Sequence, residues 1–72
     1  MKVMFQKEIT IPSDGEAVRF THEIHKLGYN SYDFALVFDW QTQHNAEYLL
    51  RIYSKNMLED RRFKELLLEY LV

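Results

Sequence analysis

A chain of 72 residues, 47% hydrophobic and 15% aromatic, excludes both a multidomain protein and the apolar-poor composition of intrinsic disorder. A formal net charge of −2 leaves no whole-molecule positive field to gather phosphate backbones, and the lack of cysteine removes disulfides, thiolate metal sites and thiol nucleophiles together. No apolar run approaches the roughly 18 residues that a membrane span needs, so one soluble domain over residues 1–72 is expected.

The cysteine-free composition fits a reducing, cytoplasmic setting. After Met1-Lys2-Val3-Met4-Phe5, the polar Gln6, Lys7 and Glu8 interrupt the apolar core that a signal peptide requires. With Met1 at its head and no tag or linker, the sequence reads as a complete, untargeted small protein. Chains of about 60 residues bury only about 60% of the surface they expose when unfolded, so the core needs help from aromatics or from a partner.

Val3, Phe5, Ile9 and Ile11 alternate with Met4, Gln6, Glu8 and Thr10, the two-residue period of a half-buried strand, with Lys7 as the intruder on the apolar side. Pro12 ends it, and Ser13-Asp14-Gly15-Glu16 is a capping-box pattern that opens a helix. Ala17, Phe20, Ile24 and Leu27 form that helix's apolar stripe; Gly28 stops it, and Tyr29-Asn30-Ser31 turn the chain. From Tyr32, one side of an extended chain carries Phe34, Leu36, Phe38 and Trp40, and the other carries Asp33, Ala35, Val37 and Asp39.

Residues 46–54 admit two periods. A helix would group Leu49, Ile52, Tyr53 and Asn56, whereas alternation of Ala46, Tyr48, Leu50 and Ile52 accounts for more of the apolar residues. A strand is therefore expected, joined to the previous one by a polar loop over Gln41–Asn45. Asn56-Met57-Leu58-Glu59 repeats the capping pattern before a helix with the stripe Phe63, Leu66, Leu67, Tyr70 and Leu71. On its solvated side, Asp60 with Lys64 and Arg61 with Glu65 stand four apart, where opposite charges attract.

The result is an α+β domain of order β-α-β-β-α, with a three-stranded sheet and two helices packed on one face. The covered face is expected to hold Val3, Phe5, Ile9, Phe34, Leu36, Phe38, Trp40, Tyr48, Leu50 and Ile52, and the uncovered face Met4, Gln6, Glu8, Ala35, Val37, Leu49, Arg51 and Tyr53. If the first strand pairs with the second, the third is an edge, apolar and short of protection.

Chemistry-bearing residues are sparse. His22 and His25 stand three apart on a polar helix side and His44 lies in the hairpin loop, a poor match to the ligand set of a zinc site. Asp33 and Asp39, six residues apart on a strand, stand about 20 Å from each other and form no acid–base pair. The serine and threonine hydroxyls are explained by caps, turns and strand ends, and two glycines make no phosphate loop. Neither catalysis, nor a cofactor, nor a metal is expected.

Binding remains. Tyr29, Tyr32, Tyr53 and Tyr70 are the residue type enriched in interface hot spots, and Met4, Val37, Leu49, Arg51 and Tyr53 are the expected contact residues. The sequence thus points to a small cytoplasmic interaction module, a regulatory or inhibitor protein of bacterial or phage type. Its sheet face or third-strand edge would dock onto a protein, including a second copy as a homodimer. The alternative is an accessory nucleic-acid binder using Arg51, Tyr53 and the Arg61, Arg62 and Lys64 cluster, a reading that the acidic net charge disfavours. The βαββα order occurs in unrelated small domains and says little about function by itself.

Overall fold

The computed structural model describes residues 6–70, with the side chains of residues 42–44 outside that description. In chain order the elements are β1 (Gln6–Ile11), α1 (Asp14–Lys26), β2 (Phe34–His44), β3 (Glu47–Ser54), a 3-10 turn (Met57–Glu59) and α2 (Arg61–Tyr70). The α+β class and the β-α-β-β-α order are as the sequence predicts, and residues 47–54 are strand.

The expected third-strand edge is not found. The sheet order is β1-β3-β2, so β3 is the middle strand, antiparallel to both neighbours, and the edges are β1 and β2. β1 and β2 consequently run parallel, joined through α1, with the hairpin's second arm inserted between them. Antiparallel contacts on both sides are somewhat more stable per residue than the parallel β1–β2 pairing that the alternative order requires. Lys7 falls in the inward register opposite Ile52 but is exposed, as an edge position permits.

Both helices lie over the face formed by Ile9, Ile11, Leu50 and Ile52. Phe20 and Ile24 from α1, and Phe63, Leu66 and Leu67 from α2, close the core with Met57 of the 3-10 turn. Phe20 sits between the helices, 6.0 Å from the ring of Phe63 and 4.8 Å from that of Tyr70. Phe34, Leu36 and Phe38 pack against this cluster but stay half-buried, so the cover thins toward the β2 edge.

Trp40 leaves the expected face. Asp39 pairs with Leu49 and Gln43 with Tyr48, so Trp40, Gln41 and Thr42 stand opposite no residue of β3. Such a bulge interrupts the alternation and re-aims side chains; Trp40 is 67% exposed. The strand then resumes, and the hairpin closes by the two residues Asn45 and Ala46 rather than by a loop over Gln41–Asn45. Both have positive φ, at 54° and 64°, the geometry of a tight hairpin turn that matches strand twist.

The helix caps divide. Ser13 accepts the Glu16 amide at 3.2 Å, one half of the first capping pattern, while the Glu16 carboxylate pairs with Arg19 rather than returning to Ser13. Gly28, at φ 103°, follows the end of α1 in a conformation that side chains resist. Asn56 makes no side-chain cap. Asp60 starts α2 instead, accepting the Arg62 amide at 2.8 Å, because the intervening 3-10 turn moves the helix start past Asn56. Asp60 is thereby committed to Arg62 rather than to Lys64, while Arg61 and Glu65 do approach, at 3.8 Å.

Candidate protein-interaction surface

Alternation along β3 sends Leu50 and Ile52 inward and leaves Leu49, Arg51 and Tyr53 on the uncovered face. The central position of β3 gives each of these a neighbour on both sides. Leu49 lies between Thr10 and Asp39, Arg51 between Glu8 and Val37, and Tyr53 between Gln6 and Ala35. Val37, 43% exposed, is the most open large apolar group of the face among the described residues, while Leu49 and Tyr53 are half-buried. Four of the expected contact residues, Val37, Leu49, Arg51 and Tyr53, thus share one surface; Met4 lies outside the described residues.

Arg51 is held from both outer strands. Its Nε donates to Oε2 of Glu8 at 3.2 Å, and its Nη2 stands 3.6 Å from Oδ2 of Asp39. Glu8 also accepts from the Gln6 amide at 3.1 Å, and Asp39 from the Gln41 backbone at 3.1 Å. The guanidinium therefore ties β1, β3 and β2 together across the face, with its charge matched locally by carboxylates.

The second basic spot is similarly committed. Arg62 binds Asp60 through Nη2 at 2.9 Å, and Arg61 pairs with Glu65. Lys64 is exposed on the same helix. The two arginines face nearby carboxylates, and Lys64 makes no ion pair among the described residues.

The remaining candidates disperse. Asp33 lies in the turn before β2, where it accepts the Asn30 amide at 2.8 Å, remote in role from Asp39. His25 Nδ1 is 2.8 Å from the Tyr29 carbonyl oxygen and its ring 5.5 Å from that of Phe34, while His22 is exposed. Among the described residues no three His, Asp or Glu side chains gather as a metal site would require, and the His44 side chain lies outside that description. Of the tyrosines, Tyr32 is almost fully exposed and Tyr53 is on the sheet face. Tyr70 turns its ring onto Phe20, its hydroxyl buried without a hydrogen-bond partner among the described residues, and burial raises its pKa.

Two arrangements escape reading from sequence. In the first, Asp60 receives the Arg62 side chain, the Tyr29 hydroxyl and the Arg62 amide. These hydrogen bonds, that of the Arg62 side chain foremost, hold the Asp60 carboxyl well below the usual carboxylate range. The hydrogen bond to Asp60, with burial, raises the Tyr29 phenol. An Asp three residues before Phe63 is a helix-start signal that Asn56 masked. In the second, Pro12, Ser13, Asp14, Phe38, Trp40 and Tyr48 line a cleft of about 260 Å³ at one end of the sheet. The bulge contributes Trp40 to it, and no periodicity announces a bulge.

No protein-family model matches the chain, nor does any curated protein or solved structure. Among the described residues no helix is long and apolar enough to cross a membrane.

Proposed function

We propose that the chain is a small, non-enzymatic protein-interaction module of the cytoplasm, regulatory or inhibitory in role, which docks through its uncovered sheet face. The observation that carries this reading is the composition of that face: Val37, Leu49 and Tyr53 surround an Arg51 whose charge is already matched by Glu8 and Asp39. Apolar and aromatic groups around a neutralised guanidinium suit the core of a protein interface, where charge is depleted and Tyr and Arg are enriched. The commitment of Arg51, Arg61 and Arg62 to carboxylates counts against the nucleic-acid alternative, since each phosphate contact must first displace a local partner.

A photo-crosslinking side chain at position 37 of the full chain tests this in the cell of origin, with position 61 on α2 as the control. The expected result is a discrete protein adduct, either a second copy or a different chain, that forms from position 37 alone. It should disappear when Leu49→Glu places a further carboxylate beside Asp39. Nucleic-acid adducts, or protein adducts that ignore Leu49→Glu, overturn the reading.

A further inference from the structure

The cleft at the end of the sheet belongs to the opposite side of the molecule from the docking face. Phe38 and Tyr48 approach each other with ring centroids 5.3 Å apart and planes inclined by 47°. The bulge adds the indole of Trp40, and the β1–α1 connection supplies Pro12, Ser13 and Asp14. Three aromatic side chains therefore share one recess with one carboxylate, and among the described residues no Lys or Arg lines it.

Two features separate this recess from ordinary packing. Trp40 remains 67% exposed although it belongs to a strand whose neighbouring aromatics pack inward, so its placement answers no demand of the core. Asp14 forms no ion pair among the described residues, whereas the Ser13 hydroxyl beside it is occupied by the Glu16 amide. The partial positive charge of the α1 N-terminus falls at the same end and is offset by Asp14 and Glu16 in its first turn.

Aromatic rings carry negative quadrupole potential on their faces, so a recess lined by three of them and a carboxylate is suited to an organic cation whose methyl or methylene groups shed water readily. We propose that the Trp40 cleft binds an alkylammonium head, and that its source is a lysine side chain, methylated at nitrogen, on a protein segment. Size and shape select this class. At about 260 Å³ the recess is below the usual range for a small-molecule pocket, but it accommodates one ammonium head. It is open to solvent on one side, which suits a head whose aliphatic stem leads back to a backbone. The charge is complementary as well, since Asp14 supplies the anion and the chain as a whole is acidic.

Trp40 is the sole tryptophan, so its emission reports on the cleft directly. The full chain is titrated with a short peptide containing trimethyllysine, with the same peptide containing unmodified lysine, with tetramethylammonium chloride, and with 3,3-dimethylbutanol as the neutral isostere. Sodium chloride maintains the ionic strength. The expected result is a saturable change with the trimethyllysine peptide, at least about fivefold tighter than with the neutral isostere or the unmodified peptide. Tetramethylammonium should bind more weakly than the trimethyllysine peptide; equal or tighter binding assigns the cleft to a free small cation and overturns the peptide source.

Asp14→Asn should weaken the trimethyllysine peptide severalfold and, because Asp14 also offsets the α1 N-terminus, lower the thermal midpoint by only a few degrees, leaving the protein folded at the titration temperature. Trp40→Leu, followed through the N-methyl proton resonances of the peptide, should abolish binding while the fold persists, as expected for so exposed a residue. Equal binding of the neutral isostere, or no saturable change with any cation, overturns the proposal. These outcomes are independent of the crosslinks from position 37, which lies on the other face of the sheet.

Discussion

The hydroxyl of Tyr29 donates a hydrogen bond to the carboxylate of Asp60, joining the turn after α1 to the first residue before α2. Arg62 grips the same carboxylate through its side chain and its backbone amide. One anion thus serves as helix cap, ion-pair partner and tether to a loop, beside the apolar packing of Met57, Leu58 and Phe63 that seats α2 on the sheet.

The first prediction concerns pH. The Asp60 carboxyl titrates well below its ordinary value near 4 in the folded state, so its contribution is complete above about pH 4 and fades as pH falls from there toward the lowered folded value. The Tyr29 phenol is raised, so its neutral form stabilises the fold below its ordinary value near 10 and that contribution is lost as pH rises through the folded value. Urea midpoints for wild type and Asp60→Asn should therefore differ by a constant amount between about pH 5 and pH 9 and converge below about pH 4. A gap that persists undiminished in acid would show that the carboxylate charge is not what stabilises this corner.

The second prediction is that Ala46→Gly stabilises the protein. Ala46 occupies the left-handed region at φ 64°, where a Cβ costs about 1–2 kcal/mol and glycine pays no steric penalty. Glycine also gains freedom in the unfolded chain, which returns about 0.4–1 kcal/mol of that advantage. The net gain should be about 0.5–1 kcal/mol, measured as a higher urea midpoint at unchanged slope. Asn45→Gly should give less, because asparagine tolerates this region better than alanine.

What could be anticipated at this hairpin, and what could not, has a physical reason. Alternation is imposed by one-sided burial, so Leu36, Phe38, Leu50 and Ile52 declare their face wherever their strands lie in the sheet. The same logic places Val37, Leu49, Arg51 and Tyr53 together on the other side. Strand order is a nonlocal choice that leaves this pattern unchanged, which is why the central position of β3 is invisible in it. The neutralisation of Arg51 depends on that position, since Glu8 and Asp39 reach it only from opposite flanks. Trp40 keeps the parity of Phe34 when residues are simply counted, and only the unpaired stretch before Gln43 removes it from the covered face.

A third prediction addresses Ser54, a buried hydroxyl at the end of β3. Its Oγ accepts the Met57 amide at 2.9 Å and donates to the Asp33 carbonyl at 3.0 Å, linking the last strand residue to the 3-10 turn and to the start of β2. Ser54→Ala leaves both backbone groups without this partner, and a buried unsatisfied group costs about 1–3 kcal/mol. For a chain of this size, each kcal/mol corresponds to roughly 4–8 °C, so the thermal midpoint should fall visibly. Hydrogen exchange should accelerate first at Met57, whose amide is the donor; exchange that stays unchanged there would show that the amide finds another acceptor.

Tyr70 gives the opposite sign from the same principle. Its ring packs edge-on against Phe20 at 4.8 Å, while its hydroxyl is buried without a hydrogen-bond partner among the described residues. The hydroxyl loses its hydration on folding and receives nothing in exchange, and burial accordingly raises its pKa. Tyr70→Phe keeps the ring contact and removes the unsatisfied oxygen, so the protein should be as stable as wild type or more stable by up to about 1–2 kcal/mol. Tyr70→Ala, which also removes the ring from Phe20, should be destabilising by about 2–4 kcal/mol, somewhat less than a fully buried aromatic because Tyr70 is only half-buried. Denaturant midpoints of the two variants separate the ring from the hydroxyl; a Phe variant weaker than wild type would mean that the oxygen has a partner, and that the last turn of α2 is held by a polar contact as well as by packing.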